Sequence, residues 1–328
     1  MVVHGEPAEL VGLKVLYILG SSRSGSTVLA NILGEFDGFV SAGEVRFLWE
    51  RVTQGRRCGC GRPVAECDLW ASVLGTEGRD VRKSGALAQL QREALRVHRE
   101  PRLLRQNPHK LLESSSLARY VEAVGDVYGR LAEITGARVI VDSSKRPTNG
   151  AVLRMVRGVE PYFLHLVRDP RAVAYSNIRG KRNPDSEGYA EMPTATVRYS
   201  SLHWAVMNFA AEDVCRHYGR ERSLYVRYED FMALPEPTVD RILRLMGERA
   251  SGTPFLDART VSIGTHHTVS GNADRFTKGR ILIAEDSEWK QRMNPRDRLT
   301  ATVLTLPLLR RYGYRARSRV GAAVQSPD

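Results

Sequence analysis

The chain is poor in cysteine, with four among 328 residues. That excludes the disulfide-dense architecture of small secreted domains. It also lacks any apolar run near the roughly 18 residues that span a bilayer. Residues 1–10 carry charge and no apolar stretch of signal-peptide type, so a reducing cytosol is the expected compartment. No internal repeat and no low-complexity linker is visible. Acidic residues are in deficit: 37 Asp and Glu stand against 49 Lys and Arg, a net charge of +12. Such a balance favours an anionic partner, whether nucleic acid, acidic membrane or a phosphorylated small molecule. Basic motifs interleaved with stacking aromatics are missing, which argues against a nucleic-acid-binding module.

What is present is ordinary globular composition, 42% hydrophobic and 26% charged. Residues 15–19 form a continuous apolar run ending at Gly20, as expected of a strand buried on both faces. Apolar residues then fall at helical spacing from Thr27 to Leu33. Further strands are expected at 138–141, 162–167 and 223–226, with helices at about 116–135, 149–157, 196–218 and 237–248. Alternating strands and helices point to an α/β fold, a parallel sheet flanked by helices. In such sheets ligands bind beyond the carboxyl ends of the strands. The expected division is a flexible lead-in over 1–13, one domain over 14–313 and a disordered tail over 314–328. Residues 179–195 read as a long loop, either a lid or an insertion.

The first strand runs into Gly20-Ser21-Ser22-Arg23-Ser24-Gly25-Ser26-Thr27. Gly20, Gly25 and Thr27 fit the phosphate loop G-x-x-x-x-G-K-[ST], but Ser26 stands where the lysine belongs. Loop N–H groups and the following helix would still cradle an anion. Without the lysine, the expected anion is something other than a nucleoside triphosphate; the alternative is a Gly/Ser-rich turn with no ligand. Arg23 brings a cation earlier in the loop. The third strand ends Arg168-Asp169-Pro170, with Ser176 eight residues after the arginine. By itself this would be a local ion pair closing a strand.

Taken together, these motifs resemble sulfotransferases that use 3′-phosphoadenosine 5′-phosphosulfate (PAPS), particularly the bacterial branch, with some similarity to tyrosylprotein and carbohydrate sulfotransferases. Arg23-Ser24-Gly25-Ser26-Thr27 is similar to their 5′-phosphosulfate loop. The resemblance implies a P-loop-like sulfotransferase fold. It also implies that Arg168 and Ser176 bind the 3′-phosphate and that Tyr228, in Tyr228-Glu229-Asp230, contacts adenine. The other reading of Tyr228 is a half-buried aromatic at a sheet end. A late segment containing Arg275, Lys278 and Gly279 resembles the family's nucleotide loop, with two extra residues after the arginine. The matches run from about 15 to 231 and, more weakly, to about 290.

Sulfuryl transfer needs a base for the acceptor's proton and a cation for the leaving oxygen. By resemblance to tyrosylprotein sulfotransferases, the base is Glu44, in Gly43-Glu44; a capping or surface carboxylate is the alternative. Lys145, at the second strand's end, either meets the leaving oxygen or is solvated. Arg46 would orient Glu44 or meet an acidic acceptor. None of the histidines occupies a family-matched base position, and His109 is the next candidate. Released adenosine 3′,5′-bisphosphate (PAP) and no metal are expected. The acceptor is expected to be a small molecule, sugar or lipid-like compound, with neither nucleic acid nor integral membrane contact. The alternatives are a P-loop nucleotide kinase, against which Ser26 speaks, and a basic nucleic-acid-binding protein.

Two features stand outside this scheme. Cys58, Cys60 and Cys67 sit within ten residues, but no fourth ligand lies at finger spacing. They are read as free thiols, with a disulfide or zinc as alternatives. Arg92, Arg96, Arg99, Arg102 and Arg105 recur every three or four residues, a basic helical stripe interrupted by Pro101. It would face solvent or an anionic ligand.

Overall fold

A computed structural model describes residues 12–180, 194–249 and 251–315. At its centre lie five strands: β1 (Leu13–Gly20), β2 (Phe39–Gly43), β3 (Val139–Lys145), β4 (Val159–Val167) and β5 (Ser223–Arg227). They run in the order β2-β3-β1-β4-β5, and every neighbouring pair is parallel. A separate antiparallel hairpin joins β6 (Thr260–Ile263) to β7 (Gly279–Leu282).

The sheet is covered on both faces, and successive side chains of each strand divide between them. Val15, Tyr17 and Leu19 pack into one core with the helix Ser115–Thr135, while Leu16 and Ile18 pack into the other. That second core contains Leu29, Ile32 and Leu33 of the helix Ser26–Leu33 and Val239, Ile242 and Leu243 of the helix Pro235–Leu245. Each fully buried Leu, Ile or Val contributes roughly 1.5–3 kcal/mol. This double burial makes β1 a rigid mount for the loop that follows it.

β1 connects outward to β2, and β3 then crosses to β4 on the other side of β1. The connection direction reverses beside β1, which opens a crevice between the ends of β1 and β4. Arg168, just after β4, donates from Nη1 to the Arg23 carbonyl in the β1 loop (3.0 Å).

The basic arginines do not form one stripe. Arg92 lies in the last turn of the helix Val81–Ala94, which ends before the other four, and a short turn leads into a second helix, Glu100–Arg105. All five arginines are exposed, and Arg105 pairs with Asp213 (2.6 Å). Of the lead-in expected over 1–13, residues 1–11 lie outside the described residues, as do most of the 179–195 loop and the tail from 316, whereas Leu13 already begins β1. Tyr314, placed in the tail by sequence, is instead docked. Its hydroxyl donates to Glu229 Oε2 (2.6 Å) and contacts the Val167 carbonyl (3.2 Å). No helix of the described residues is long and apolar enough to cross a membrane.

Candidate active site

A cleft of about 650 Å³ opens at the carboxyl ends of β1, β3 and β4. Its floor is the β1 loop. Gly20 and Gly25 take φ 133° and 80°, conformations that favour glycine. A Cβ at Gly20 would lie 2.3 Å from the Leu166 carbonyl oxygen, and one at Gly25 would lie 2.7 Å from the Tyr228 ring. Among the described non-glycine residues only Arg23 (φ 65°) and Lys145 (φ 67°) share that backbone region, and both line the cleft.

Lys145 supplies in space the cation that the loop lacks in sequence. Its Nζ arrives from the end of β3, 3.3 Å from Ser26 Oγ, and donates to the Ser143 carbonyl (2.8 Å). The same ammonium lies 2.7 Å from Glu44 Oε1. Glu44 follows β2 and is held by its own backbone N–H, which donates to the Ser270 carbonyl (3.2 Å). Burial alone would raise the Glu44 carboxyl. Lys145, with Arg46 and Arg51, outweighs burial and holds the carboxyl below its ordinary range. Glu44 is therefore ionised at neutral pH.

Behind this pair lies a buttress that the sequence did not suggest. Asp142 is buried and accepts from Ser144 N–H (2.8 Å) and Tyr128 Oη (2.7 Å). Ser144 Oγ in turn accepts from the Arg46 N–H (3.0 Å). Burial pushes the Asp142 carboxyl up to about 6.

Across the cleft, the Arg168-Asp169-Pro170 turn divides its duties. Asp169 caps the helix Pro170–Ile178, accepting from Arg171 N–H (2.9 Å), and pairs with the Arg171 guanidinium (2.6 Å). Arg168 is thereby released from closing the strand. It stacks over the Tyr228 ring at 4.3 Å and faces the cleft together with Ser176. Its Nε is buried without a hydrogen-bond partner, as are Ser21 Oγ and Ser24 Oγ of the loop. Buried donors left open around a glycine-lined cradle suit an anion.

The family model described as "Sulfotransferase family" matches residues 16–251. The chain belongs to the sulfotransferase family. Among solved structures it is similar to the sulfotransferase domain of the Synechococcus PCC 7002 olefin synthase. Identity is 21% and the TM-score 0.54, over 95% of this chain and 98% of that one. A sulfotransferase domain from the curacin biosynthetic pathway is similar at 18% identity and a TM-score of 0.54, over 94% and 99% of the two chains. At these identities the likeness is one of fold. No curated protein matches significantly.

Of the residues singled out from the sulfotransferase motifs, Arg23, Gly25, Ser26, Thr27, Glu44, Lys145, Arg168, Ser176 and Tyr228 line one cleft. Ser24 lies beneath it, fully buried. Arg275, Lys278 and Gly279 do not line it. Arg275 is buried and donates from Nη2 to the Arg57 carbonyl (2.9 Å), while Lys278 and Gly279 are exposed where β7 begins. Gly271, Asn272, Asp274 and Thr277 of the same segment face the cleft instead. Asn272 Oδ1 lies 3.3 Å from Arg23 Nη1, and Asn177 Oδ1 lies 3.4 Å from Arg23 Nε. His109 is exposed on a short helix remote from the lining residues; among the described histidines, only His203 lines the cleft.

Gly25→Ala tests the cradle. An alanine there meets both the unfavourable φ and the Tyr228 ring, so unfolding in urea should show a loss of about 1–3 kcal/mol. Unchanged stability would mean that the loop backbone shifts out of the left-handed region as well as away from the Tyr228 ring.

Proposed function

We propose that the protein transfers a sulfuryl group from PAPS to a hydroxyl or amine of a small-molecule, sugar or lipid-like acceptor, releasing PAP. The observation that carries this reading is the position of Lys145, whose ammonium touches both the base candidate Glu44 and the phosphate-loop residue Ser26. The donor supplies an activated S–O bond: the acceptor atom bonds to sulfur as the bond from sulfur to the 5′-phosphate oxygen breaks. Glu44 Oε takes the acceptor's proton. Lys145 and the loop N–H groups meet the charge that develops on the leaving oxygen, where preorganised donors are most effective. Arg168 offers its guanidinium fork, with Ser176 beside it, to the 3′-phosphate. Tyr228 presents a ring face for adenine.

Phe47, His203 and Met207 line the same cleft and suit the acceptor side. His203 is held below its ordinary range by burial and by Arg146 and Arg46, so it meets the acceptor as a neutral imidazole. Ligand-induced stabilisation tests the proposal. PAP should raise the melting temperature more than ATP with Mg²⁺ does, and labelled PAPS should pass its sulfuryl group to an acceptor in a screen. Stabilisation by ATP with Mg²⁺ alone would point to a kinase.

Asp286 gives a finer test. Its Oδ2 lies 3.4 Å from Arg168 Nη2 and 3.7 Å from Arg179 Nη2, in the place where a phosphate would meet Arg168. The carboxylate is partly exposed, so removing its charge should tighten PAP only about two- to fivefold in Asp286→Asn. Weaker binding in isothermal titration would instead make Asp286 a support for Arg168.

A further inference from the structure

Cys58, Cys60 and Cys67 meet His267, which is 200 residues beyond Cys67 in the chain. This supplies the fourth donor that cysteine spacing alone could not reveal. The four candidate ligand atoms all lie within 4.8 Å of one another, and Cys67 Sγ is 3.1 Å from His267 Nδ1. Four-coordinate zinc with Zn–S arms of about 2.3 Å sets its ligand atoms roughly 3.8 Å apart. The observed cluster therefore needs to contract by no more than about 1 Å at its longest edge. Cys58 and Cys67 are fully buried, and no disulfide joins any of the cysteines.

The surrounding backbone is shaped to hold these donors together. Cys58 N–H donates to the Arg62 carbonyl (2.7 Å) and Gly61 N–H to the Cys58 carbonyl (2.8 Å), folding the Cys58–Cys60 segment into a tight turn. Gly59 N–H donates to the Thr268 carbonyl (2.9 Å). A Cβ at Gly59 would lie 2.4 Å from the His266 carbonyl oxygen and 2.5 Å from Thr268 Oγ1, so only glycine lets the turn press against the histidine segment. Trp70 Nε1 fixes the other side by donating to the His267 carbonyl (2.5 Å). The Arg62 side chain lies against Cys60, a suitable neighbour for a thiolate-rich centre. Three thiolates and one divalent ion leave a net charge of −1.

We propose that Cys58, Cys60, Cys67 and His267 bind one zinc ion in a closed, four-ligand structural site. Binding releases the three thiol protons to solvent, and neutral His267 ligates through Nδ1. None of the four donors lines the cleft, so the ion takes no part in sulfuryl transfer. Its work is mechanical. The segment leaving His267 reaches the cleft within five residues: Ser270 holds Glu44 through its carbonyl, and Asn272 N–H donates to Thr27 Oγ1 (3.1 Å). The zinc fastens that segment to the cysteine turn.

The test uses the full chain, expressed with zinc in the medium and purified without chelators. Elemental analysis should find about one zinc per chain, as a closed Cys₃His site requires. Cys215→Ser should keep it, and Cys60→Ser and His267→Ala should lose it. Stripping the wild-type chain with a chelator and adding Co²⁺ should give thiolate-to-cobalt charge-transfer absorption and intense tetrahedral d–d bands. This readout does not depend on the variants folding. Removal of zinc should also lower the melting temperature. A protein that holds under about a tenth of an equivalent of zinc and shows no charge-transfer band with Co²⁺ would overturn the proposal. So would a Cys58–Cys67 disulfide found by mass spectrometry under non-reducing conditions.

Discussion

Glu44→Gln is expected to lower kcat by about 10²–10⁴-fold, the range lost when a positioned base is removed. Glutamine keeps the shape of the side chain and can still accept a hydrogen bond from Lys145, but it cannot hold the acceptor's proton at neutral pH. The substitution also removes a negative charge 2.7 Å from the Lys145 ammonium, which faces the phosphate loop. PAP affinity should therefore be unchanged or slightly tighter, so the loss appears in kcat and not in nucleotide binding. The pH profile carries a sign. A carboxyl held below its ordinary value stays ionised as pH falls, so wild-type activity should persist through mild acid. It should be lost only as the pH passes below the ordinary carboxylate range, and the glutamine variant should lack that limb. A variant retaining more than about a tenth of wild-type kcat, with chemistry rate-limiting, would place the base elsewhere. An acidic limb somewhat below the ordinary histidine range that disappears in His203→Ala would place it at His203.

The second large effect is expected at Arg168. Arg168→Ala should weaken PAP by about 2–4 kcal/mol, or roughly 30- to 1000-fold, the cost of removing one partner of a buried charged hydrogen bond. Adenosine 5′-phosphate should be affected far less, because it lacks the 3′-phosphate. That comparison matters because Arg168 also supports the loop through the Arg23 carbonyl and the Tyr228 ring. Damage to the loop would weaken both nucleotides alike. Equal losses for the two ligands would remove Arg168 from the 3′-phosphate site, whereas a difference above tenfold supports it. Arg168→Lys should recover only part of the loss, since an ammonium lacks the planar fork.

The elements that the sequence disclosed are those whose signal is local. β1, β3, β4 and β5 are apolar runs ending in polar or glycine residues, and the long helices repeat their buried positions every three or four residues. β2 escaped because Phe39-Val40-Ser41-Ala42-Gly43 is short, small-residue-rich and at the sheet edge. The hairpin β6–β7 escaped because each arm has four residues and β7 is largely exposed. Within the site, the loop was legible from its spacing after a strand, and Arg168 only once resemblance joined the two motifs. Placing Glu44 depended on resemblance. The contact of Lys145 with Ser26 and that of His267 with the cysteines join residues more than a hundred positions apart, and no periodicity encodes them. Arg275 stands apart for a related reason. Resemblance to the family's nucleotide loop suggested a phosphate contact, but the Arg275 guanidinium donates to the Arg57 carbonyl and does not line the cleft.

The unusual backbone at Arg23 and Lys145 bears on how this protein would respond to selection. Left-handed geometry at a residue with a side chain costs of order 1–3 kcal/mol, and both instances line the place where bond-making is expected. Glycine or asparagine at either position would relax the chain and make the fold sturdier. Each would also delete a cation from the cleft. A library sorted for heat resistance alone would therefore drift towards variants that survive boiling better and turn over nothing. The durability of this protein and its usefulness are set against each other at two addresses, 23 and 145.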